Sequence, residues 1–298
     1  MRSDRHHSRP LRFVLRVAAA LLAVLGLGYT AICALMYASQ DELLYPGYGH
    51  VSGPPAADGP PIQVVTLDTP DGERLVGWWL PPQPGQPTFL MFNGNGVGLA
   101  ADGARWAELS LRGAGFLTVA YRGYDGSTGR PREADLIADA HLAYDWLAER
   151  VPPSDIIIEG FSLGSGVAVA LAADRPARAL VLEAPYSAIV DVAAATYPWL
   201  PVRLFMRDRF LSRDRIGRVD MPVLIVHGDH DTVVPIEQGR ALYALARSPK
   251  RFVRVPGAGH GGFLVEVYDQ TWSFLNLPRP ADASAPSVAA VEVRNDAA

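Results

Sequence analysis

Charge is absent from one long stretch near the start of the chain. From Val17 to Ala38 (VAAALLAVLGLGYTAICALMYA) there is no Asp, Glu, Lys or Arg. Cysteine is nearly absent as well: Cys33 is the sole one, which excludes an internal disulfide and leaves the redox compartment open. Basic residues are scarce relative to acidic ones beyond the first 16 positions. Arg2, Arg5, Arg9, Arg12 and Arg16 face only Asp4 there, a local charge of +4, so the net −4 of the chain leaves −8 on the remainder. A net-acidic globular part with one basic end excludes the usual footprint of a nucleic-acid binder. No internal repeat is present, and no His/Cys/Asp/Glu spacing marks a metal site. His227 and His230 lie three apart, with Asp229 and Asp231 beside them, in what reads as a loop that carries an acid. No metal and no cofactor are expected.

The uncharged stretch is long enough to span a bilayer. As a helix it measures roughly 33 Å at ~1.5 Å per residue. Arginines precede it, and Asp41 and Glu42 follow it. The positive-inside rule therefore keeps residues 1–16 cytoplasmic and exports the rest. The competing reading, a cleaved signal peptide, needs an apolar core of about 7–15 residues and a small-x-small cleavage site. Met36-Tyr37-Ala38 does not supply that site.

Residues 39–61 contain PGYGHVSGPPAADGPP and read as a linker. Residues 278–298 are rich in Pro, Ala and Ser and read as a disordered tail. Between them, over 62–277, strand-like and helix-like patterns alternate. Residues 62–67 and 75–80 form a hairpin pattern around Pro70-Asp71-Gly72. Short apolar runs at 88–92, 116–121, 155–159, 179–182, 222–226 and 252–255 show little polar alternation, and helical periodicity recurs at 100–112, 132–149, 236–247 and 263–274. This order predicts an α/β fold, a mostly parallel sheet covered by helices on both faces. Ligands then bind beyond the carboxyl ends of the strands.

Ser162 sits where a buried strand meets a buried helix, between Gly160 and Gly164. G-x-S-x-G in that context is a nucleophile elbow: a tight turn that aims a serine hydroxyl out of the sheet. On its own the serine could merely cap the helix. Partners follow in the order Ser…Asp…His. Strand 222–226 runs into HGDHDTVVP, which supplies Asp231, with Asp229 as the alternative. The last strand runs into PGAGHGGF, which supplies His260. A serine hydroxyl is a feeble nucleophile unless an imidazole takes its proton, and a carboxylate fixes that imidazole's tautomer. FNGNGVG (92–98) follows strand 88–92 and nominates the backbone amide of Asn95 for an oxyanion hole, together with that of Leu163. The run Gly94-Asn95-Gly96-Val97-Gly98 is not G-x-G-x-x-G, so a dinucleotide reading fits it poorly.

DELLYP, FNGNG, YRGYDGSTGRP, EGFSLGSGVA, HGDHDTVVP and GAGHGGF together resemble the α/β-hydrolase superfamily, over roughly residues 40–277. The resemblance is strongest to its membrane-anchored, single-pass serine hydrolases of the serine-aminopeptidase-like branch. It implies that Ser162, Asp231 and His260 form a triad cleaving carboxylic esters or thioesters through an acyl-enzyme; the motifs say little of the substrate, and the triad together with the anchor leads to the expectation of acyl or lipid-like substrates near the membrane. Amide hydrolysis uses the same machinery, and a non-catalytic membrane scaffold of this fold is the alternative from another class. The sequence departs from the family twice. Asn93 stands where a histidine is usual, and Asp125 stands where glycine is usual, placing a carboxylate expected near the mouth of the site. A cap is expected at about 186–220. Its Tyr197, Trp199, Leu200, Leu204, Phe205, Met206 and Phe210 read equally as an acyl pocket or as a helix face packed on the core.

Overall fold

Strands that bury every residue need cover on both faces, and five strands of this chain do so: β3 (Thr88–Phe92), β4 (Gly115–Val119), β6 (Ala179–Glu183), β7 (Val223–Gly228) and, apart from its last residue, β5 (Ile156–Phe161). The computed structural model describes residues 8–56, 59–96, 98–278 and 292–295. Before these strands come β1 (Gln63–Asp68) and β2 (Arg74–Leu80), and after them β8 (Lys250–Val255) and β9 (Glu292–Asn295). The sheet order is β1-β2-β4-β3-β5-β6-β7-β8-β9. β2 runs antiparallel to both its neighbours, β9 is antiparallel to β8, and the pairs from β4 to β8 are parallel. The expected α/β fold with a mostly parallel sheet is the one observed.

The helices are α1 (Ser8–Ala38), α2 (Gln40–Leu44), α3 (Gly103–Leu111), α4 (Glu133–Ala148), α5 (Leu163–Ala172), α6 (Ile189–Thr196), α7 (Val202–Phe205), α8 (Ile236–Leu245) and α9 (Leu264–Leu275). α5 is buried along its whole length, because its small residues let it lie directly on β5. On the opposite face, Tyr268 and Trp272 of α9 pack edge-on and stacked against Phe89 of β3. The hairpin expected around Pro70-Asp71-Gly72 is the β1–β2 turn, closed by Thr69 and Glu73, with Gly72 at φ 89°.

The strand order reverses around β3. β3 and β4 step toward one edge; the next strand, β5, crosses back to pair on the other side of β3. The loops that leave β3 and β5 therefore diverge at adjacent carboxyl ends, with Phe92 opposite Gly160. That crevice is where open α/β sheets hold their ligands.

The N-terminal helix is longer than the uncharged run that predicts it. Phe13–Ala38 is the one stretch among the described residues long and apolar enough to cross a membrane, and its side chains are not buried by the rest of the chain. The tail expected to be disordered falls mostly outside the described residues, at 279–291 and 296–298. Within it, Glu292–Asn295 pair with the open edge of β8, whose backbone groups would otherwise lack partners. Residues 39–61, expected as a free linker, begin with α2. Their 45–52 portion is then fastened to the sheet end: Tyr45 is 1% exposed, and Gly49 and His50 exchange backbone hydrogen bonds with Gly123 and Asp125.

Candidate active site

β5 ends at Phe161 and α5 begins at Leu163, so Ser162 makes the whole turn. It does so at φ 51° and ψ −118°, a conformation that side-chain-bearing residues rarely hold. The flanking glycines make the turn possible. A β-carbon on Gly160 would lie 2.5 Å from the carbonyl oxygen of Gly164 and 2.7 Å from Ala168 Cβ. One on Gly164 would collide with the backbone of Phe92 at the end of β3. The turn is tied down by the Ser162 amide donating to the Glu183 carbonyl (3.0 Å) and by the Ser165 amide and hydroxyl donating back to the Ser162 carbonyl.

The loops after β7 and β8 meet above this turn. A β-carbon on Gly228 would strike the carbonyls of Ala258 and Gly259, and the His230 amide donates to Ala258 (2.9 Å). This contact brings the Asp231 loop against the His260 loop. The Ser162 hydroxyl stands 2.8 Å from Nε2 of His260, and Nδ1 of His260 donates to Oδ2 of Asp231 at 2.8 Å. The His260 ring also lies on Phe161, centroids 5.2 Å apart. Asp229 faces elsewhere: it accepts from Arg254 and from the Gly257 amide.

Asp231 has more donors than the order of motifs suggested. Its Oδ1 accepts the amides of Val233 and Val234, both at 2.8 Å. Its Oδ2 also lies 3.3 Å from Nε2 of His227, a fully buried ring. That same Nε2 reaches the Val234 carbonyl at 2.8 Å, which can only accept, so His227 carries its proton on Nε2. Burial alone would raise the Asp231 carboxyl. Hydrogen bonds from His227, His260 and the Val234 amide outweigh it and hold the group well below the usual carboxylate range. The carboxylate is thus fixed as an anion and an acceptor. His260 must then present Nδ1–H to it and Nε2 to the serine.

The loop after β3 lies over the serine. A β-carbon on Gly94 would be 3.3 Å from the Phe161 ring and 3.7 Å from Ser162 Cβ. Its outer side is held by backbone carbonyls rather than by a histidine. Tyr121 donates to the Asn93 carbonyl (2.6 Å), and Tyr124 and the Gly47 amide donate to the Asn95 carbonyl (2.9 and 3.2 Å). The Asn95 side-chain amide donates to the Leu44 carbonyl at 2.6 Å. Neither the Asn95 nor the Leu163 backbone amide donates to an acceptor among the described residues. Asp125, expected as a carboxylate near the mouth, is instead consumed as a clasp. Its oxygens accept the Ser52 amide and hydroxyl (both 2.6 Å) and the Leu99 amide (2.5 Å), which joins the segment after α2 to the end of the FNGNGVG loop. Among the described residues, no group of three or more His, Cys, Asp or Glu side chains is placed to hold a metal ion.

A family model for the alpha/beta hydrolase fold matches residues 204–267. Alpha/beta hydrolase domain-containing protein 17B of Homo sapiens is 33% identical over 215 residues, covering 70% of this chain and 72% of that protein. The chain is an alpha/beta hydrolase. An uncharacterized protein of Mycobacterium tuberculosis, Rv2307c, is 41% identical over 254 residues, 82% of this chain and 88% of that one. The lysophosphatidylserine lipase ABHD12 of Danio rerio is 35% identical over 188 residues, 56% of this chain and 49% of that one. Among solved structures, an acetyl xylan esterase from Paenibacillus sp. R4 superposes with a TM-score of 0.60 at 20% identity, over 81% of this chain and 93% of that one.

Beneath the elbow, this alpha/beta hydrolase keeps a buried ionic cluster that periodicity and motif order did not single out. Arg105 of α3 contacts Glu159 (2.8 Å) and Glu183 (2.6 Å), and its Nη1 donates to the Tyr268 hydroxyl. Glu159 belongs to the EGFSLG motif and Glu183 is the residue whose carbonyl holds the Ser162 amide. Burial, and Glu183 beside it, push the Glu159 carboxyl well up, so it holds a proton. Burial also acts on Glu183, but Arg105 overcomes it and keeps Glu183 ionised. A cavity of about 230 Å³ adjoins this cluster, lined by Asp102, Arg105, Phe161, Glu183 and the Gly261–Gly262 stretch after His260.

Proposed function

We propose that the protein is a serine hydrolase of carboxylic esters, working through an acyl-enzyme and anchored in a membrane by α1. One observation carries this reading: the unbroken chain of 2.8 Å contacts from Asp231 through His260 to a serine held at positive φ.

In the first half-reaction, Ser162 Oγ attacks the ester carbonyl carbon while its proton passes to Nε2 of His260. The carbonyl π pair moves onto oxygen, and the amides of Leu163 and Asn95 receive that oxyanion. Asp231 steadies the imidazolium and stays ionised throughout. The tetrahedral species then collapses. The C=O re-forms, the C–O bond to the leaving group breaks, and His260 returns its proton to the departing alkoxide. Water, deprotonated by His260, repeats the sequence on the acyl-enzyme and releases a carboxylic acid and free Ser162.

Two features favour lipid-like substrates. The related zebrafish protein is a lysophosphatidylserine lipase, and the chain carries an apolar helix of membrane-spanning length. By the positive-inside rule, the arginines before that helix favour residues 1–16 on the cytoplasmic side and the hydrolase domain on the other.

The test uses the full chain in membranes. A fluorophosphonate probe labels the wild-type protein, and Ser162→Ala abolishes labelling. Ester hydrolysis falls by up to a factor on the order of 10⁶, as when a triad nucleophile is removed. Retention of labelling and turnover by Ser162→Ala overturns the proposal.

A further inference from the structure

The cap does not lie on the hydrolase core alone; it also docks on the end of α1. Tyr29 donates to the Trp199 carbonyl at 2.9 Å, Tyr37 meets Phe205 edge-on, and Arg207 covers the Tyr37 ring while bonding Asp41 (2.9 Å). Between the two elements is an apolar cavity of about 190 Å³ whose walls include Cys33, Met36, Leu44, Ala193, Leu200 and Phe205. No residue of the triad lines it. Its inner wall, however, contains Leu44, whose carbonyl holds the Asn95 side chain. The cavity therefore ends one residue from the loop nominated to receive the oxyanion.

We infer that this cavity binds the acyl chain of a membrane-resident ester, which enters sideways from the lipid around α1. The inference rests on the ester-hydrolase reading above and adds a binding site to it. Four observations select that occupant. Cys33, Met36 and Tyr37 of the candidate spanning helix form one side of the cavity wall, so the cavity adjoins whatever surrounds that helix. Counted from Val17, the first residue beyond the arginines, the ~20 residues that a hydrocarbon core of ~30 Å requires reach Met36, so Cys33 and Met36 lie at the end of the acyl-chain region beside the headgroups. Beside the mouth, the cap leaves Trp199 (53% exposed), Leu204 (79%) and Phe205 (53%) uncovered, an apolar face suited to the same boundary. The lining offers few polar atoms, which admits a hydrocarbon tail and disfavours a headgroup.

Two measurements on the full chain in phospholipid vesicles test this. Cys33 is the sole cysteine, so its alkylation by a maleimide reports on the cavity alone. Labelling Ser162 with a long-chain alkyl fluorophosphonate slows Cys33 alkylation at least tenfold, whereas an ethyl fluorophosphonate does not. Equal alkylation rates with both reagents overturn the inference. Protection that depends on protein concentration and not on the reagent overturns it too, because a second copy then fills the groove. Separately, Ala193→Phe fills the cavity. The ratio of kcat/KM for a palmitoyl over a butyryl ester falls on the order of tenfold, the effect of about two methylenes denied burial. An unchanged ratio counts against the site. If neither reagent labels the wild-type protein at Ser162, the ester-hydrolase reading fails, an outcome distinct from those that reject the cavity.

Discussion

Ser162 combines a strained backbone with the nucleophile's role proposed for it, and the two can be separated. Its φ of 51° costs on the order of 1–3 kcal/mol for a residue with a side chain. Ser162→Gly relieves that strain, partly offset by the ~0.5–1 kcal/mol of extra chain entropy that glycine loses on folding. A net gain of about 1 kcal/mol is expected, a rise of roughly 2–4 °C in Tm for a domain of this size, together with complete loss of fluorophosphonate labelling. Thermal unfolding of the variant checks it; a fall in Tm contradicts the strain argument. At this scale the legible residues were those marked by local chemistry. Ser162 lies between glycines, and Asp231 and His260 lie in loops after late strands. His227 was visible at the end of β7, but nothing local shows that a ring four residues before Asp231 donates to it. Asp125 was legible as unusual, but its clasp with Ser52 depends on a partner more than seventy positions away.

The elements around the site were readable to within a few residues, because unbroken apolar runs and helical spacing report burial directly. What joins the elements was less readable. The Arg105, Glu159 and Glu183 cluster links α3 to the ends of β5 and β6, and its members come from three separated segments. It carries a pH dependence with a definite sign. Folded Glu159 binds its proton more tightly than the unfolded chain does, so above about pH 4.5 the unfolded state releases a proton that the folded state keeps. Stability then falls as pH rises toward the folded value, with a slope of at most about 1.4 kcal/mol per pH unit. Glu159→Gln removes the titrating group and flattens this slope between pH 5 and 8. Denaturant unfolding of both proteins across that range measures it, and parallel slopes refute the assignment of the proton to Glu159. The segment from Tyr45 to Ser52 shows the opposite limit of legibility. Its Pro and Gly content correctly indicates irregular backbone. Its anchorage comes from Asp208, which accepts from Tyr45, from Asn95, which accepts from Gly47, and from Asp125, which accepts from Ser52, tertiary partners that composition does not encode.

Taken as a whole molecule, the chain makes its juxtamembrane segment part of the hydrolase. Two truncations separate anchoring from support. Removing residues 1–38 releases the protein from membranes and leaves the clasp from Leu44 to Ser52 in place. Removing residues 1–53 deletes the Leu44 carbonyl, the Gly47 amide and the Ser52 hydroxyl that fasten the FNGNGVG loop. Against the shorter truncation, kcat for a soluble short-chain ester then falls about 10²-fold, the cost of misplacing a reacting group by about 1 Å. Equal kcat values would show that the loop stands without this support. The same stitching fixes reach as well as rate. With no slack between Ala38 and Tyr45, the domain cannot swing on a leash. If α1 is rooted in a bilayer as proposed, the search for substrate is confined to two dimensions along that surface, and esters in a neighbouring vesicle lie beyond it.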